Sequence, residues 1–334
     1  MTDHLRTRGF GLKLALGALA LIAAFFAAMT LGAAKTTVGD LWLALTGAEG
    51  EKLTILREIR LPRVVAAVFV GAALSVAGAV MQGMTRNPLA DPGLLGLTAG
   101  ASAALAAAMA LIPGLSTFGI VLVCFAGAAA GTFLVFGISS MKRGGFSPFR
   151  LVLTGAAVST FLFAVTDGMK LYFKIAKEVT MWTSGGLNGT NWHHVQVIAP
   201  FIAVGLAAAI AMSRQVTILS LSEEVAVGLG QNVNRIKRLL LFVVILLAGA
   251  SVALVGNLVF VGLIVPHLVR GFVGTDYRYV VPMSALFGGV FMVLADLAAR
   301  TVSAPYETPL VAIAAMIGLP MFLWIVRKGG RAFT

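Results

Sequence analysis

Of 334 residues, 59% are hydrophobic and only 11% are charged, with a formal net charge of +12 and a mean hydropathy of +0.97. A water-soluble domain carries about a quarter of its residues as charges, so this chain cannot cover itself with a polar shell and reads as an all-α integral membrane protein. Its basic residues are scattered through short loops, not gathered on one face, which argues against nucleic acid as a partner and fits the Lys/Arg excess of cytoplasmic loops.

Charge-free runs mark the predicted spans. A bilayer core about 30 Å thick takes roughly 20 helical residues, so about ten transmembrane helices use nearly the whole chain. Residues 1–334 then form a single transmembrane domain with no room for a soluble catalytic unit. Residues 1–13, with Arg6, Arg8 and Lys13, are expected to be a cytoplasmic N-terminus. The run Leu14 to Ala34 is longer than the about 7–15 residues of a signal h-region. It is read as an uncleaved first span despite the small residues Gly32-Ala33-Ala34. Val64 to Thr85 is the second span. Pro92 to Met141 is too long for one helix and divides at Pro113-Gly114. Leu151 to Phe173 and Val195 to Ser213 follow. Leu239 to Val269 is too long for one span and too short for two, with Asn257 the expected break and Pro266-His267 the expected end of the second helix. Tyr279 to Ala295 and Thr308 to Val326 complete the set, and an even count returns residues 327–334 to the cytoplasm. The spacings Gly96-xxx-Gly100 and Gly127-xxx-Gly131 indicate close helix packing and little more.

In this topology the larger share of Lys and Arg, including Arg86, Arg214, Arg235, Lys237, Arg238 and Arg327, lies inside. A smaller group, including Lys35, Arg57, Arg60, Arg63, Lys170, Lys174 and Arg300, lies outside and needs its own explanation. No G-x-x-x-x-G-K-[ST] phosphate loop, H-E-x-x-H or cysteine cluster occurs. No catalytic residue, metal site or resident cofactor is therefore expected. Cys124 stands alone in an apolar run and reads as a small buried or lipid-facing residue. His193-His194 read as solvated loop residues, and His267 as a packing or capping residue. Asp167 and Asp296 fall near the outer ends of their spans, where hydration is expected. An ion-coupled transporter would show more charge in mid-membrane, so the energy for pumping is expected to come from elsewhere.

Three stretches carry a resemblance to a known family. They are Arg60-Leu-Pro-Arg63 through Met81-Gln-Gly to Arg86-Asn-Pro-Leu-Ala-Asp-Pro-Gly93; Val259-Phe-Val-Gly-Leu-Ile-Val-Pro-His-Leu-Val-Arg270; and Ala295-Asp296 through Glu307-Thr-Pro309 to Gly318-Leu-Pro320. Together they resemble the permeases of ABC importers for iron-siderophores, haem and vitamin B12. The resemblance implies a ten-helix bundle of the vitamin B12-importer type in the bacterial inner membrane, most often moving a ferric siderophore. It implies pairing with a second permease copy or a paralogue, two ATP-binding-cassette subunits that hold ATP and Mg, and an extracytoplasmic siderophore-binding protein. An ion-coupled secondary transporter and a non-transporting scaffold remain the rival classes.

The resemblance also assigns residues. Arg60, Arg63 and Arg300 match positions that receive carboxylates from the binding protein. Pro62 suits the first turn of a helix, so Arg60 and Arg63 are expected at an outer N-terminus, opposing the helix dipole at about 0.3–1 kcal/mol each. Plain interfacial snorkelling is the alternative. The inner segment 214–238 resembles the coupling helix seated in the ATPase, with Leu221, Glu223, Glu224, Ala226, Gly228, Leu229 and Gly230 as its contacts. Leu221, Val225 and Leu229 fall on one helical face, which an ordinary amphipathic surface helix would share. Asn87 and Leu89 match the cytoplasmic gate, while Asp91 also suits capping of the next helix with Pro92 in its first turn. Trp182 to Trp192 matches a paired-Trp outer loop.

Overall fold

The computed structural model describes residues 2–32, 37–46, 50–112, 114–141, 148–183, 186–304 and 306–327. No strand occurs among them. The helices are α1 (Thr2–Thr30), α2 (Val38–Leu45), α3 (Glu51–Thr54), α4 (Leu61–Thr85), α5 (Leu97–Leu111), α6 (Thr117–Ser140), α7 (Pro148–Tyr172), α8 (Ala176–Thr183), α9 (Trp192–Ala211), α10 (Ser213–Leu221), α11 (Glu223–Gly228), α12 (Val233–Val255), α13 (Val261–Val273), α14 (Tyr277–Thr301) and α15 (Leu310–Arg327). A π-helix, Ile55–Arg60, joins α3 to α4, and a 3-10 turn, Pro92–Leu95, precedes α5. Polar side chains set many of the starts by accepting from orphan amides. Ser116 caps α6, Asn191 α9, Ser222 α11, Asn232 α12 and Asp276 α14.

Among the described residues seven helices are long and apolar enough to cross a membrane, and α5, α13 and α15 supply three shorter apolar segments. The ten predicted segments are therefore all present, and the break at Pro113-Gly114 falls between α5 and α6, with Pro113 itself outside the described residues. The break near Asn257 is wider than expected: α12 stops at Val255, Gly256 takes φ 76°, and regular structure resumes only after Phe260 at φ 72°. Pro266 and His267 lie inside α13 and do not end it. Of the first predicted span, Ala33 and Ala34 lie outside the described residues, as does Lys35.

The expected helix start at Pro62 is corrected. Glu51 to Thr85 is helical throughout, because the π-helix runs straight into α4 and the Leu61 amide reaches back to Leu56 O. A proline ring clashes with the carbonyl four residues earlier in a plain α-helix, and the wider turn just before Pro62 makes room for it. Arg60 and Arg63 thus sit within a helix, and the dipole argument for them falls.

Small residues decide the packing. Helix α4 is buried along almost its whole length and packs against α14, α12, α13 and α9. A Cβ on Gly71 would lie 2.1 Å from Gly288 O of α14, and one on Gly78 would lie 1.8 Å from Gly262 O of α13. Only glycine allows these two crossings. The Gly96/Gly100 and Gly127/Gly131 spacings pack against each other across α5 and α6, with a Cβ on Gly100 2.2 Å from Gly127 O. Helices in lipid gain no hydrophobic force toward one another, so backbone approach supplies the van der Waals contact that holds them.

Side-chain contacts sort the loops onto two ends of the bundle. At one end the Phe10 ring packs tilted against Tyr279, Lys13 donates to Phe272 O, and Thr217 donates to Asp276. At the other end Arg60 reaches Met29 O, Trp192 Nε1 donates to Arg57 O, and Arg63 meets Glu307.

Candidate functional sites at the two ends of the bundle

The first site is a charge cluster built on α4, α14 and the 302–309 connection. Arg63 is held on both edges of its guanidinium. Nε and Nη2 lie 3.0 and 2.9 Å from Asp296 Oδ1, while Nη1 and Nη2 donate to Glu307 Oε1 at 2.8 Å and Oε2 at 3.0 Å. Arg300, one turn after Asp296, brings its Nε to 3.0 Å from Asp296 Oδ2. Arg300 Nη2 also donates to Ala28 O at 3.3 Å, and Arg60 Nη1 donates to Met29 O at 2.7 Å. Those two carbonyls belong to the last turn of α1, whose orphan acceptors and negative dipole end favour cations. Both guanidiniums press on Gly32, where a Cβ would lie 3.0 Å from Arg60 Nη2.

The structure brings Arg60, Arg63 and Arg300 together, each buried and held within the chain and not exposed at the outer surface. Asp296 is likewise corrected: it is 1% exposed, not hydrated, and lies between two guanidiniums. Its i,i+4 spacing to Arg300 was the readable signal. Asp167 does stay exposed, paired with Lys170 at 3.0 Å. Glu307 is exposed; its partial desolvation would raise its carboxyl, but hydrogen bonds to Arg63 and Asn188 and the nearby guanidinium charge hold it below the usual carboxylate range.

The second site lies at the other end. Segment 214–238 is not one helix, because Ser222 at φ −159° and ψ 164° ends α10 and caps α11. Leu221, Val225 and Leu229 therefore do not share a helical face as expected. They are nonetheless exposed together with Val227, around a fully buried Ala226. Glu224, Gly228 and Gly230 are exposed, and Gly230 takes φ 76°, which only glycine adopts at little cost. Glu223 ties the segment down, accepting from Lys237 of α12 at 2.5 Å and from Arg86 at 3.4 Å. Neither pairing was legible from spacing.

The Asn87–Ala90 turn follows directly. Arg86 takes the left-handed conformation (φ 53°, ψ 32°), Asn87 Oδ1 accepts from the Leu89 amide at 3.0 Å, and Leu89 is exposed. Asp91 accepts from Gly93 N at 2.7 Å and caps the 3-10 turn Pro92–Leu95 that precedes α5, not α5 itself, whose N-cap is Gly96. A cavity of about 10 Å³, lined by Asn87, Leu95, Leu151 and Val152 among others, separates the turn from α7; this is room for about one water.

The described residues contain no cluster of His, Cys, Asp and Glu suited to a metal. His194 is not solvated as expected. It is buried at the start of α9, where its Nδ1 accepts from Asn191 N at 3.3 Å, while the exposed His193 stands edge-on to Phe118.

The FecCD transport family model matches residues 20–328. The chain belongs to the FecCD transport family. It is 42% identical over 328 residues to the iron(3+)-hydroxamate import system permease protein FhuB of Bacillus subtilis strain 168, covering 98% of this chain and 85% of that protein. It is 44% identical over 302 residues to the Fe(3+)-citrate import system permease protein YfmD of the same organism, covering 90% of each. Among solved structures, an inward-facing metal-chelate type ABC transporter matches with a TM-score of 0.84 at 27% identity, over 94% of this chain and 98% of that one. As a FecCD member with many apolar helices, the chain is a multi-pass protein of the bacterial inner membrane and a transport permease subunit. Both candidate sites fall within the matched residues.

Proposed function

We propose that this FecCD permease moves ferric siderophores inward across the cytoplasmic membrane, powered by separate ATPases and supplied by an external binding protein. The likeness over nearly the whole chain to permeases for iron(3+)-hydroxamate and Fe(3+)-citrate carries this reading. With no phosphate loop of its own, the chain performs no hydrolysis, and ATP with Mg binds to two partner ATPases.

The Lys/Arg excess of the inner segments supports a cytoplasmic Glu224 end. There the exposed apolar residues Leu221, Val225, Val227 and Leu229, with Glu223, Glu224, Ala226, Gly228 and Gly230, form the coupling surface for the ATPase. Glu223 links that surface through Arg86 to the turn of Asn87 and Leu89, the cytoplasmic gate. The opposite end faces outward, and Arg60, Arg63 and Arg300 give its cluster one positive charge in excess of Asp296 and Glu307, suited to acidic residues of the binding protein.

The test is uptake by the permease reconstituted with its ATPases and binding protein in vesicles. Ferric hydroxamate or ferric citrate should accumulate only when ATP is supplied on the ATPase side. Accumulation driven by a proton gradient without ATPases, or of cobalamin alone, would overturn the reading.

A further inference from the structure

Arg63 has no free edge. Asp296 takes its Nε/Nη2 side through three hydrogen bonds and Glu307 takes its Nη1/Nη2 side through two. The two carboxylates are unlike. Asp296 is fully buried within α14, whereas the Glu307 side chain is 37% exposed and sits in the short connection leading into α15. Glu307 and Arg63 together line an open cavity of about 210 Å³, with Asn188, Gly186, Thr308 and Leu310 on its walls. An incoming carboxylate can therefore reach Arg63 only where Glu307 now sits.

We propose that Glu307 is a built-in stand-in for the binding protein's carboxylate, and that docking is an exchange in which the partner's acidic side chain takes the outer edge of Arg63 and releases Glu307. This rests on the reading of Arg63 as a docking residue. The exchange keeps Arg63 paired in both states, so the buried guanidinium is never left without its second carboxylate. It also carries a signal. Glu307 lies three residues before Leu310, the first residue of α15, so its release frees the start of that helix when the partner arrives. The same exchange limits affinity, because the partner must displace an existing charge-assisted pair.

The test uses the full permease–ATPase complex in lipid nanodiscs and the siderophore-binding protein that stimulates its ATPase. Kd is measured for wild type, Glu307→Gln, Arg63→Gln and the double variant. Glu307→Gln should bind about threefold tighter, Arg63→Gln about tenfold weaker or worse, and the double variant should show no gain over Arg63→Gln. Amide exchange at 306–310 should rise in wild type on docking and be already raised in unbound Glu307→Gln, a readout that does not depend on affinity. Binding by Glu307→Gln that is unchanged or weaker, while Arg63→Gln still loses affinity, overturns the exchange and leaves the docking site standing. Unchanged binding by Arg63→Gln removes the docking site itself and the exchange with it.

Discussion

Gly78 of α4 and Gly262 of α13 touch backbone to backbone, with the position of a Gly78 Cβ only 1.8 Å from Gly262 O. Gly78→Ala must push the helices apart, at about 1–3 kcal/mol or more for an overpacked core. Thermal unfolding in detergent should show a clear loss for this variant. Gly137→Ala, where nothing lies within 4 Å of the added carbon, should be neutral or slightly stabilising because alanine favours the helix. Equal behaviour of the two variants would contradict the crossing.

Asp296 compensates two buried arginines at once. Asp296→Ala is expected to cost about 3–5 kcal/mol, the usual loss when one partner of a buried pair is removed. Asp296→Asn should be nearly as harmful, since the amide supplies no charge. Unfolding midpoints of both variants, set beside wild type, decide the matter. A wild-type midpoint for Asp296→Asn would show that hydrogen bonding alone holds the cluster.

The Glu307 carboxyl lies below its ordinary value of 4.5 in the folded protein. A depressed carboxylate contributes stability that is fully present above the unfolded value and lost as pH falls through the folded one. The stability gap between wild type and Glu307→Gln should therefore be constant near neutral pH. It should shrink only as pH drops below 4.5, as melting curves over a pH series would reveal. A gap that widened on acidification would reverse the sign and reject the pairing.

Val227 and Leu229 are each 62% exposed, so charge is tolerated there by the isolated permease. Val227→Asp and Leu229→Asp should leave the melting temperature unchanged while lowering ATPase co-purification by roughly tenfold, as for residues at the centre of an interface. Ala226→Leu, at a fully buried position, should instead destabilise the chain. Retention of the ATPase by both Asp variants would move the coupling surface elsewhere.

The sites were legible to different depths. Arg60, Arg63 and Arg300 could be picked out by motif, and the structure brings them together. Their burial was not legible, because hydropathy scores an arginine alike whether or not an aspartate waits 233 positions away. The coupling segment was recognisable by its mixture of polar and apolar residues, yet the helix break at Ser222 and the ties of Glu223 to Lys237 and Arg86 depend on which helices stand beside it.

Membrane residence, the ten apolar segments and the breaks between α5 and α6 and near Asn257 were written in the chain itself. Transfer into lipid is decided residue by residue along a local stretch, and so are the cap and the turn. The tertiary structure alone decided that Gly78 meets Gly262 and that Arg63 is shared between Asp296 and Glu307. These features arise from contacts between segments far apart in sequence, and a buried charge reveals its partner only once the helices that carry both are packed.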